Sequence, residues 1–282
     1  MKAVSVLFPI FLLQSPGEAR HLEQRVELAG AQAISIECQS GEVHIEGGDV
    51  AEISVRGELY GGKTELKVSR AGGRIVLAVE GDGPLMSAEL RIVVPRKLEL
   101  DAKVVSAELR AIRLDGKVSL SSVSGEVVGE DLRGEVQLKT TSGDVKLRGS
   151  TERVLAETVS GSLSLSLNKA ALALTTVSGD VVIDAEEVTK LSAETISGDV
   201  QLRAALAPQG NYRITTQSGD VAVKLERSGA EVRFDSMSGE LSGSKGQLRD
   251  AERWPRRGRT LTLGAGGPSL SVSTMSGDLQ VD

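Results

Sequence analysis

Cysteine is nearly missing: the 282-residue chain has one, Cys38. A single thiol excludes an intramolecular disulfide and any metal site built from several cysteines, so the fold must rest on packing. Histidine is almost as scarce, with only His21 and His44, which leaves little for transition-metal ligation or imidazole base catalysis. Aromatic residues make up 2% and Trp254 is the only tryptophan. Val, Leu, Ile and Ala must therefore fill the core, which suits flat, regularly stacked layers. Excess positive charge is lacking too. The formal net charge is −6, which disfavours a nucleic-acid partner.

Long apolar runs are missing as well. The longest, Ala3 to Leu13, has 11 residues, whereas a helix crossing a membrane needs roughly 20. With Lys2 before it and small residues at Gly17 and Ala19 after it, the run is expected to be a secretory signal peptide, residues 1–19, cut before Arg20. No cysteine stands just after it to accept a lipid. The expected location is extracytoplasmic (periplasmic, cell-surface or secreted), with no stable membrane insertion.

What the chain does have is a repeat. Ser-Gly pairs begin at Ser40, Ser124, Ser142, Ser160, Ser178, Ser197, Ser218, Ser238 and Ser276, with Ser-Ala variants at Ser87 and Ser106. From Ser106 the steps are 18, 18, 18, 18, 19, 21, 20 and 38, the last reading as two coils with one degenerate repeat between. Around each pair apolar residues alternate, as in Val136-Gln137-Leu138 before the pair and Val145-Lys146-Leu147 after it. Period two means strand with one buried face. Each repeat thus holds two short strands separated by a sharp bend. Polar or Gly-rich segments at Asp131-Leu132-Arg133-Gly134, Gly149-Ser150-Thr151, Asn168-Lys169 and Asp184-Ala185-Glu186 are expected to make the second turn.

Two short strands cannot bury their apolar face alone, so successive coils must stack. The expected fold is all-β: a single-stranded β-helix (β-solenoid) of about 18–21 residues per coil. The hexapeptide spacing of left-handed solenoids is absent, which favours a right-handed coil. Residues 20–97, whose strand-like runs are irregularly spaced, are expected to form the first coils and a cap ending near Pro95. Residues 98–282 form the regular array.

Two before each central Ser stands Ser122, Thr140, Thr158, Thr176, Thr195, Thr216, Ser236 or Thr274. By alternation these hydroxyls face inward and are expected to hydrogen-bond to one another or to backbone. Cys38 occupies the same place and reads as a small core residue. His44, between Val43 and Ile45, is expected to point to solvent. At the corner, Gly accepts the bend while Ser and Asp cap backbone groups. The next residue is acidic in ten of eleven corners, Ser162 being the exception. Such a column, Asp144, Asp180, Asp199 and Asp220 above all, has the hard oxygens that calcium prefers. Calcium-binding nonapeptide solenoids, however, carry more Gly per turn. No cofactor is implied.

Between residues 243 and 260 the alternation fails, and Lys245, Arg249, Arg253, Arg256, Arg257 and Arg259 face only Asp250 and Glu252. The segment reads as an exposed loop. Arg253, Trp254, Arg256, Arg257 and Arg259 are the anchors it would offer an acidic partner.

The leader, the Arg91-Ile92-Val93-Val94-Pro95 segment, the Ser-Gly-Asp-Val corners and the Gly264–Pro268 stretch together resemble the bacterial "putative adhesin" β-strand-repeat family. That resemblance implies an extracytoplasmic β-helix and brings no catalytic motif. The expected function is an exported structural or interaction protein without catalytic activity, binding an envelope protein or glycan and open to self-association at ends or edges. A polysaccharide-cleaving enzyme and a calcium-dependent module are the alternatives. The first would need clustered acids and aromatic sugar platforms.

Overall fold

The computed structural model describes residues 19–61, 63–81, 86–226, 229–243, 246–253 and 256–282. The alternation of apolar and polar residues makes strands throughout, and no helix occurs among the described residues. The strands begin with Arg20–Glu27 (β1), Ala33–Gly48 (β2), Glu52–Tyr60 (β3), Glu65–Ala71 (β4), Arg74–Glu80 (β5), Ser87–Pro95 (β6) and Glu99–Ile112 (β7). The regular array follows as Val118–Ser124 (β8), Val127–Glu130 (β9), Glu135–Ser142 (β10), Val145–Gly149 (β11), Arg153–Ser160 (β12), Leu163–Ser178 (β13), Val181–Ser197 (β14), Val200–Leu206 (β15), Tyr212–Ser218 (β16) and Val221–Leu225 (β17). The C-terminal part holds Ala230–Ser238 (β18), Leu241–Gly243 (β19), Gln247–Arg253 (β20), Arg256–Leu263 (β21), Ser269–Ser276 (β22) and Leu279–Val281 (β23).

Successive coils pair in parallel, residue on residue. Val136 faces Val118 on one side and Val154 on the other, and Val145 lies between Val127 and Leu163. Two walls result, joined at the Ser-Gly corner, and one apolar core runs between them from Val26 to Val281. Each fully buried Val or Leu contributes roughly 1.5–3 kcal/mol, and the stack provides one at nearly every inward position. Tyr212 and Phe234 are the large aromatic members, near the C-terminal end. The Tyr212 hydroxyl donates to the Ala207 carbonyl at 2.7 Å.

The structure departs from strict succession at both ends. The coil β2 lies inside the coil made by β5 and β6, which follows it in sequence, and pairs with β7 on its other side. At the opposite end the last coil, β22 and β23, is wedged between β16–β17 and β18–β19. The first and last coils of the chain are therefore held on two sides, where a terminal coil stacked in sequence order would have one free edge. Antiparallel strands cover the outer layers: β3 and β1 beyond β6, β4 beyond β5, β21 and β20 beyond β18.

This arrangement corrects the reading of the 38-residue step. Its middle holds no degenerate coil but the antiparallel hairpin β20–β21. Two of the expected turns also differ. The chain passes Asn168-Lys169 and Asp184-Ala185-Glu186 without leaving β13 or β14, absorbing the change of direction in register shifts at Ala170/Ala171 and after Ala185.

Candidate functional site

The repeated corner carries the chemistry, and its glycine is dictated by the stacking. From Gly125 to Gly277 the corner glycines have φ between 134° and 158°, apart from Gly239. A Cβ on Gly179 would sit 2.2 Å from the Gly161 carbonyl oxygen of the neighbouring coil. Ala88 and Ala107, at the Ser-Ala corners, do not take positive φ. These corners therefore bend differently from the glycine corners.

The acid after the corner residue is exposed everywhere except at half-buried Glu126, and the Asp members tie coil to coil. The carboxylate of Asp144 accepts the Ser162 N–H at 2.9 Å, Asp180 accepts that of Asp199 at 3.0 Å, and Asp199 that of Asp220 at 2.9 Å. Asp220 receives the Asp278 N–H and Asp278 the Glu240 N–H, both at 2.8 Å, following the spatial order of the coils. Glu126, one methylene longer, pairs instead with Lys146, whose pKa is raised by that hydrogen bond. The four Asp residues singled out from the sequence thus fall in one file, each with one oxygen engaged by backbone except in the gap that Ser162 leaves. No cluster of three or more candidate metal ligands occurs among the described residues.

The hydroxyls two before the corner Ser do face inward, each 8% exposed or less. They do not make the expected bonds: none of the eight, from Ser122 to Thr274, has a hydrogen-bond partner. Neighbours in the file are a coil apart, about 4.8 Å, which is beyond direct bonding. β-branching fits Thr to the strand, but each unsatisfied hydroxyl costs about 1–3 kcal/mol. Cys38 does better, its thiol donating to the Ser40 carbonyl at 3.3 Å, and burial pushes its pKa up.

Between the inward Thr and the corner Ser lies a position that the sequence pattern leaves unspecified. In spatial order it holds Gln39, Val105, Val123, Thr141, Val159, Val177, Ile196, Gln217, Met275 and Met237. Seven of these are apolar, and all seven are 41% to 60% exposed. They form a stripe on the outer surface, one side chain per coil. Single exposed apolar side chains are ordinary, whereas a file of seven, broken at Thr141 and Gln217, makes a candidate contact surface. The signal was present as the triplets Val-Ser-Gly, Ile-Ser-Gly and Met-Ser-Gly, hidden because the position alternates outward and so reads as free. Beside the N-terminal end of the stripe the wall dips into an open hollow of about 550 Å³ that takes in Val105 and Val123.

The basic segment is a hairpin and not the expected loop. The alternation fails there because β20 is an outermost strand, with Leu248 half exposed. Arg253 pairs with Arg256, Glu252 with Arg257 and Asp250 with Arg259 in its register. Trp254 lies outside the described residues. His44 also differs from expectation: it is half-buried between Arg91 and Arg110 of the adjoining coils, and burial, then these two cations, lower its pKa.

Parallel coils in residue-on-residue register, joined at one recurring corner, define the class: an all-β, solenoid-like repeat protein. The chain belongs to the Toastrack DUF4097 family, whose profile matches residues 31–282. This agrees with the β-strand-repeat resemblance of its motifs. Comparison with curated proteins finds no match. Among solved structures the chain is similar to a "putative adhesin" from Parabacteroides distasonis ATCC 8503, with 12% identity, 94% of this chain and 98% of that chain covered, and a TM-score of 0.58. It is also similar to a "putative lipid binding protein" from the same organism, with 13% identity, coverage of 94% and 98%, and a TM-score of 0.49. A "putative cell adhesion protein" from Clostridium sporogenes ATCC 15579 gives 10% identity, coverage of 94% and 99%, and a TM-score of 0.27. At these identities the first supports the fold.

Proposed function

We propose that the protein works outside the cytoplasm as a non-catalytic binding scaffold of the cell envelope, and that it engages its partner along the apolar stripe. The observation that carries this reading is the file of exposed apolar side chains in seven of ten coils, beside a corner whose other residues are occupied with architecture. The Gly column bends the chain, and the Asp column accepts backbone N–H groups. The leader-like residues 1–19 support export, and adhesin names among structures of the same fold accord with a binding role. With one carboxylate oxygen of each capping Asp already used, the column is better suited to tying coils than to caging calcium.

The test replaces Val159, Val177 and Ile196 together by Thr, the residue that already stands in this file at Thr141. Thr keeps the β-branched shape that strands favour, so the melting temperature should hold. Co-sedimentation with purified cell envelopes should fall about tenfold or more relative to the unaltered protein. Equal co-sedimentation of both proteins, or none by either, contradicts the reading.

A further inference from the structure

The chemistry around the stripe narrows the partner, on the premise that the stripe is the binding face. Three residues after each stripe position, Val159 with its Ser162 excepted, stands the corner acid, at most about 11 Å along the chain. Around the C-terminal half these are Asp180, Asp199, Asp220, Asp278 and Glu240, all exposed. No ion pair to any of them occurs among the described residues. On the other side, two residues before the stripe, the file is mixed: Lys139 pairs with Glu157 at 2.8 Å, and toward the C-terminal end Glu194 and Asp235 add acid among Thr175, Thr215 and Ser273. An apolar ridge with a carboxylate column along one flank is complementary to an apolar ridge with cations along the matching flank.

The backbone beneath the stripe sets the partner's conformation. Its N–H and C=O groups already bond to the coils on either side, as between Thr140 and its partners Ser122 and Thr158. An added strand would find no backbone partner here, so the occupant must satisfy its own backbone, as a helix does. From Val105 to Met237 the file covers eight coil steps, or about 38 Å. A helix of about 25 residues has that length. A second copy laid stripe to stripe would set acid against acid, and an anionic lipid surface would meet the same repulsion.

We propose that the stripe binds a cationic amphipathic helix, its apolar face on Val105 to Met237 and its Lys or Arg side chains against the column of corner acids. The probe is a dye-labelled 25-residue peptide of Leu and Lys patterned as an amphipathic helix, with a control carrying Glu for every Lys. Fluorescence anisotropy should show saturable binding of the Lys peptide, with a gain of helical circular dichroism and weakening as salt rises. Val159→Thr, Val177→Thr and Ile196→Thr together should weaken it at least about tenfold. Asp180→Asn, Asp199→Asn and Asp220→Asn, which keep the acceptor oxygen and remove the charge, should also weaken it and flatten the salt dependence.

Equal binding of the Glu peptide, or Lys-peptide binding that ignores the Thr substitutions, overturns the proposal. So does stripe-dependent association with phosphatidylglycerol vesicles or with a second copy in place of peptide binding. If the Lys peptide fails while the Thr substitutions still abolish envelope co-sedimentation, the scaffold reading stands and only the partner's chemistry falls. If envelope co-sedimentation is also unchanged, the scaffold reading falls with it.

Discussion

The corners in the two halves of the stack solve one problem with different residues. From Gly143 toward the C-terminal end glycine is invariable and Asp follows it, except at Ser162 and at the outermost Glu240. From Glu42 to Glu126 the acid is Glu, and two corners have Ala in place of Gly. In the Asp half the side chain is short enough to accept the next coil's N–H, and the backbone at the glycine takes a positive φ. In the Glu half Glu126 turns to Lys146, and while Gly41 and Gly125 keep the positive φ, Ala88 and Ala107 avoid it. The shorter acid thus bonds the next coil's backbone, where Glu126 bonds a side chain.

The sharpest way to break this contrast is to exchange the small residues. Gly179→Ala brings a Cβ to 2.2 Å from a neighbouring carbonyl. It should destabilise the protein by roughly 3 kcal/mol or more, adding backbone strain to overpacking. In a 282-residue chain that lowers the melting temperature by roughly 6–12 °C. Ala107→Gly in the other half should cost about 1 kcal/mol or less. Similar shifts for both would show that the corners are equivalent after all. A smaller effect separates the acids. Asp199→Ala loses a carboxylate bond to the Asp220 N–H and should cost about 1 kcal/mol in denaturant unfolding. Glu108→Ala should stay within about 0.5 kcal/mol.

Much of this was legible in the sequence because a solenoid repeats its side-chain periodicity in register. The inward columns, the corner and the all-β stack follow from the alternation around Ser-Gly. The order of coils at the ends did not, because β22 carries the same signature as β16 and β18, and nothing local says which neighbour it will join. The turns inside β13 and β14 were misplaced since polar residues tolerate a bulge within a strand as readily as a turn. The lack of partners for the inward hydroxyls is not legible, because alternation gives the face of a side chain and not what stands opposite it. The stripe escaped for a related reason: an outward position in a strand pattern is presumed free, and only the register of ten coils shows that its residues meet.

The most direct measurement is hydroxyl-radical footprinting of the protein bound to cell envelopes, compared with the free protein. Met237, Met275, Val177 and Ile196 on the stripe should become protected together, while Val182 on the opposite wall, 38% exposed, keeps its reactivity. Protection spread equally over both walls, or confined to Val182 and its neighbours, would contradict the claim that the stripe is the binding face.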